Sequence, residues 1–148
     1  MTWPTVAWNG KPRRRATTIL GWGAAREILV PLFSDHAEAH DAHTGIAGSF
    51  EQTKRGVGHW RAAGGSVALR IGVGDWALGS HHPMVELVCQ LGADSVCFFF
   101  HESPEGWERV EVEWLPRLSE AMPTLRRAAD DLRGRGVRVA LSGIPACI

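Results

Sequence analysis

Residues 28–50 read ILVPLFSDHAEAHDAHTGIAGSF, and this stretch decides the fold. An apolar run from Ile28 stops at Ser34. A polar, histidine-rich loop follows, and Ser49 opens a predicted helix. Charge bounds the apolar run on both sides, as expected of a strand covered on both faces. Pro31 inside the run counts against a central strand.

The rest of the chain repeats this plan without repeating the residues. A helix is expected from Ser49 to about Ala63. Ser49 can cap it, Gln52 sits three residues on, and Phe50, Val57 and Trp60 can share a face. Gly64-Gly65 ends it. Ser66–Val73 reads as the second strand. His82 to Leu91 has Met84, Leu87, Val88 and Leu91 at helical spacing, with Gly92 as its stop. Ser95–Phe100 is the third strand. Arg117 to Arg135 is the longest helix, with Leu118, Met122, Leu125, Ala129 and Leu132 in one stripe. Val137–Leu141 is the fourth strand. Alternating strands and helices of this kind specify parallel βα units and an α/β fold. Residues 1–16 read as an irregular arm and residues 17–148 as the βα-repeat unit.

Composition sets limits on function. The chain has 148 residues, with 16 basic and 16 acidic side chains. It is long enough for one domain. The balanced charge predicts no nucleic-acid or membrane-surface partner. No apolar run reaches the ~20 residues of a membrane helix. Cys89, Cys97 and Cys147 are too few for a disulfide framework, and their odd number suits a reducing cytoplasm.

In parallel α/β folds, ligands meet the carboxyl ends of strands. That rule selects Ser34, Asp35 and His36; Arg70 and Asp75; His101 and Glu102; and Ser142 and Gly143. Arg70 lies in an apolar strand, where a charge must be paired or must bind an anion. Ser34, on the neighbouring strand end, is expected beside it, and a hydroxyl with a guanidinium suits a carboxylate or a ribose. His36, His40 and His43 have helical spacing that would suit a metal, but Thr44-Gly45 and Gly48 favour a loop of structural histidines. His81-His82 before Pro83 reads as a polar helix start. The segment after the third strand carries Glu102, Glu105, Trp107, Glu111, Glu113 and Trp114. Long loops after strands often carry function. Neither Gly21-Trp22-Gly23 nor Gly72-Val73-Gly74 extends to a dinucleotide fingerprint.

The order of these features resembles the later half of a radical S-adenosylmethionine (radical SAM) barrel. The residues that carry the resemblance are Ser34, His40-Asp41, Gly45, Gly48-Ser49-Phe50, Trp60, Gly64-Gly65 and Arg70. LGADSVCFFF and GVRVALSGIPACI resemble later strands of the same barrel. The resemblance covers residues 17–148 and implies half of a partial (β/α)6 TIM-type barrel. It implies that Ser34 and Arg70 contact the ribose or methionine carboxylate of S-adenosylmethionine. It also implies that Cys147 is a ligand of an auxiliary cluster.

The family holds its [4Fe–4S] cluster with C-x-x-x-C-x-x-C, and this chain has no such triplet. The resemblance therefore implies a fragment or split part, inactive alone, completed by a chain carrying the first half barrel. Two other readings stand beside it. One is a noncatalytic α/β domain that binds a partner through its sheet edge. The other is an unrelated α/β-barrel-like enzyme with histidine and glutamate at strand ends.

Overall fold

The computed structural model describes residues 26–100 and 116–143. The arm at 1–16 and the segment from His101 to Trp114 lie outside the described residues, as does Cys147. Four strands form one all-parallel sheet in the order of the chain: β1 (Glu27–Leu32), β2 (Ser66–Gly72), β3 (Ser95–Phe99) and β4 (Arg138–Ser142). Between them run α1 (Ala37–Thr44), α2 (Ser49–Ala62), a short 3-10 helix (Asp75–Leu78), α3 (His82–Gln90) and α4 (Leu118–Gly134). Sequential parallel order with helical crossovers is the arrangement the alternating pattern predicts.

The helices cover one face of the sheet. Val67, Leu69 and Ile71 of β2 and Val96 and Phe98 of β3 are buried with Val57, Trp60, Met84, Val85, Val88, Leu125 and Leu132. The alternate residues face the other way. Glu27, Leu29 and Pro31 share that second face with Ala68, Arg70, Ser95, Cys97, Arg138 and Ala140 through the strand register. Leu29 is 54% exposed there. The expectation of coverage on both faces is therefore corrected. A continuous apolar run hides the period-2 alternation when the outward positions are also apolar. Pro31 has its explanation too: β1 is an edge strand, where a residue without an amide hydrogen is tolerated.

The expected histidine loop is also corrected, because residues 37–44 are helical. His40 is the one buried residue of α1, so the helix has almost no apolar stripe to reveal it. Its position is set by contacts with Phe33. The Phe33 amide donates to His40 Nδ1 at 3.3 Å, and the His43 ring stacks on Phe33 with centroids 3.9 Å apart. Gly45, at φ 69°, ends the helix in the left-handed conformation that glycine adopts without strain.

Helix α2 begins at Ser49 as expected, but Ser49 is not its cap. Asp41, late in α1, reaches across to the α2 N-terminus. Its carboxylate accepts from the amides of Gly48 (2.5 Å) and Phe50 (2.8 Å) and from Ser49 Oγ (2.8 Å). These donors hold the Asp41 carboxyl below its ordinary value, the Phe50 amide most strongly. A carboxylate over a helix N-terminus satisfies otherwise unpaired amides and complements the helix dipole.

At the opposite end of α2, Trp60 is 3% exposed and donates Nε1–H to the Ser66 carbonyl at 2.8 Å. The turn at Gly64-Gly65 brings the chain into β2 directly against this indole. Arg61 then pairs with Asp94 at 2.9 Å, and Asp94 accepts the Val67 amide at 2.8 Å. One carboxylate thus ties the end of α2, the start of β2 and the approach to β3.

Candidate functional site

Among the described residues no helix covers the second sheet face, and this uncovered face with the strand carboxyl ends beside it forms the candidate site. Four rows of side chains cross the face. Glu27 and Ser66 form the first row. Leu29, Ala68, Ser95 and Arg138 form the next, followed by Pro31, Arg70, Cys97 and Ala140. Gly72, Phe99 and Ser142 complete it toward the carboxyl ends. Small residues dominate the middle, and a concavity of about 260 Å³ lies over them, lined by Leu29, Ala68, Ser95, Cys97, Arg138 and Ala140 among others. Arg138 and Glu27 belong to opposite edge strands, yet their charged groups meet at 3.7 Å. Their pairing spans the face beneath the carboxyl-end rows.

Arg70 occupies the centre of the third row. Its guanidinium lies over the Phe99 ring, 4.2 Å from the centroid. A guanidinium over an aromatic face is favourably placed. Among the described residues Arg70 makes no ion pair. It is exposed, so the burial that the sequence reading assigned to it is corrected: alternation turns Arg70 away from the helices. Gly72 is the register partner of Phe99, and no side chain from β2 stands opposite the ring.

Ser34 lies two residues beyond the end of β1 and is 6% exposed. Its Oγ accepts the His36 amide at 3.1 Å and donates to Asp35 Oδ1 at 3.4 Å. These bonds shape the turn into α1. Ser34 and Arg70 both occur at the carboxyl-end side of the sheet, but no hydrogen bond joins them.

His36, His40 and His43 do not gather into a metal-ligating group. His40 is buried, with Nδ1 accepting the Phe33 amide, which places its ring proton on Nε2. Burial lowers the pKa of His40 against the opposing pull of Asp41, and burial also lowers that of His43. The resemblance residues His40-Asp41 and Gly48-Ser49-Phe50 therefore serve as a structural joint between α1 and α2. Their spacing contained the signal: an acidic residue shortly before a Gly-Ser helix entry can cap that entry from outside it.

Beyond β4, Gly143 takes φ 71°, and a Cβ there would stand 2.8 Å from the Phe100 carbonyl oxygen. The carboxyl ends of β3 and β4 approach closely enough that glycine is required. Asp75 opens the short 3-10 helix and is exposed. His101, Glu102, Glu105, Glu111 and Glu113 lie outside the described residues.

No protein-family model matches the sequence, and no curated protein aligns with it significantly. Among solved structures, the chain is similar to Streptococcus suis SuiB, with a TM-score of 0.59 at 10% identity. The match covers 81% of this chain and 27% of the SuiB chain, so this chain spans about a quarter of that protein's length. At that identity the likeness concerns the fold, an α/β arrangement with a four-stranded parallel sheet. Among the described residues no helix is long and apolar enough to cross a membrane.

Proposed function

We propose that this chain supplies the later half of a radical SAM-type barrel and acts in S-adenosylmethionine-dependent radical chemistry only with a complementary half barrel. The observation that carries the proposal is the uncovered face of a parallel sheet with Arg70 at its carboxyl-end side. In a closed barrel that face is the interior. Two edge strands, β1 and β4, are where further strands would join. Leu141, on the helix side of β4, is 42% exposed, as expected where another helix would pack. The sequence resemblance supplies the family and the ligand class.

The residues present fit part of this chemistry. Arg70 offers an exposed guanidinium, set over the Phe99 ring, for the methionine carboxylate. Ser34 would have to release the His36 amide to turn its hydroxyl toward a ribose. An iron–sulfur cluster is not fitted by the described residues: Cys89 belongs to α3 and Cys97 to the uncovered face of β3. The electron that cleaves the sulfonium must therefore come from a cluster held elsewhere.

Anaerobic iron and sulfide reconstitution of the chain tests this division of labour. The expected result is no [4Fe–4S] absorbance and no 5′-deoxyadenosine from S-adenosylmethionine. A stoichiometric cubane cluster on the chain by itself would overturn it.

A further inference from the structure

We propose a divalent transition-metal site, suited to Zn²⁺, formed by His81, His82 and Asp131 on the outer surface where the start of α3 meets α4. The three side chains each offer a ligand atom, and these atoms all lie within 4.8 Å of one another. His81 Nε2 and Asp131 Oδ2 are already 2.9 Å apart. In a tetrahedral zinc site with bonds of about 2.0–2.1 Å, neighbouring donors stand about 3.3 Å apart, so one edge of the polyhedron is nearly in place. His82 is exposed at the first residue of α3, with its donor within 4.8 Å of the other two.

The donor set suits the ion. Two imidazoles with one carboxylate favour borderline ions such as Zn²⁺ over Mg²⁺ or Ca²⁺, which select oxygen ligands. Three protein ligands leave a fourth position for water. Two of the donors are already held against each other. His81 is half-buried with its ring against Asp131, and Pro83, directly after His82, fixes the helix start. The helices are also joined nearby, where Arg135 of the α4 C-terminus pairs with Glu86 at 2.8 Å and Thr124 donates to the Gly79 carbonyl. A metal here would tie the start of α3 to α4 on the helix side of the sheet. The site is separate from the uncovered face and does not depend on the radical SAM reading.

The test is calorimetric titration of the full chain, free of any affinity tag, with Zn²⁺, alongside the visible spectrum of the Co²⁺-loaded protein. The expected result is one equivalent bound with low-micromolar affinity and a tetrahedral Co²⁺ band without a thiolate charge-transfer band. His82→Ala and Asp131→Asn, each with wild-type circular dichroism, should lose at least the roughly tenfold in affinity that even a supporting residue of a metal site commands. His43→Ala should leave binding unchanged. Binding no tighter than millimolar would overturn the proposal, as would tight binding that survives both His82→Ala and Asp131→Asn.

Discussion

Replacing Gly65 with alanine tests how the strand that carries Arg70 is set in place. A Cβ at Gly65 would fall 2.1 Å from Trp60 Nε1, 2.3 Å from Cε2 and 2.6 Å from Cδ1. Flexible rotation cannot relieve this, because the indole is 3% exposed and its Nε1–H is bound to the Ser66 carbonyl. Either the indole swings out or the turn into β2 shifts. Overpacking a filled site costs about 1–3 kcal/mol. Loss of the indole hydrogen bond adds about 1 kcal/mol. Gly65→Ala should therefore destabilise the protein by about 2–4 kcal/mol. In urea, with a slope of about 2 kcal/mol/M, that is a fall in midpoint of about 1–2 M, read by far-UV circular dichroism. Trp60→Leu removes the indole Nε1 and Cε2, the two atoms nearest the added methyl. In that background the same alanine should cost less than about 1 kcal/mol, so the double-mutant cycle should show strong coupling. A Gly65→Ala protein within about 0.5 kcal/mol of wild type, or equal costs in the two backgrounds, would refute the packing role assigned to the glycine pair.

Two further predictions concern the joint between α1 and α2. Asp41→Asn should weaken the grip on the α2 N-terminus, and hydrogen exchange at the Gly48 and Phe50 amides should accelerate while the β2 amides stay protected; unchanged exchange would show that Asp41 does not anchor the helix. The Asp41 pKa is lowered in the folded protein, so the stability this anchor contributes is full above the ordinary carboxylate range and is lost as pH falls from there through the lowered folded value. His40 is held neutral by burial, so the unfolded chain binds more protons below its ordinary pKa near 6.5. Stability should be full above that pH and decline as pH falls below it toward the lowered folded value, with part of the slope removed in His40→Gln and a further part in His43→Gln. A denaturation midpoint constant across this interval would contradict the buried neutral imidazole.

Much of the fold was legible because each βα unit contains a strong local signal. The strands and three of the helices lie within two residues of the expected bounds, since Gly64, Gly92 and Gly136 stop helices immediately before apolar runs. Helix α1 was illegible for a physical reason. With one buried residue and glycines just after it, it is held by ring contacts to Phe33 and by no apolar stripe of its own. The uncovered face was hidden because Leu29 and Val30 look alike in sequence and only the sheet separates them. Arg70 was correctly placed among apolar neighbours, yet its partner is the Phe99 ring, two positions along on the next strand, a pairing visible only once β2 and β3 are in register. His81-His82 could be read as a helix start, but Asp131 comes near them only through the packing of α3 on α4.

We propose that the uncovered sheet face is part of an S-adenosylmethionine site, with Arg70 holding the carboxylate. It is tested most directly by titrating S-adenosylmethionine into the ¹⁵N-labelled chain and following amide shifts. Such a site should give saturable shifts confined to the carboxyl-end residues of β2 and β3 and to the Ser34 turn, abolished by Arg70→Ala without loss of fold. Shifts that persist in Arg70→Ala, or no shift at millimolar ligand, would contradict it.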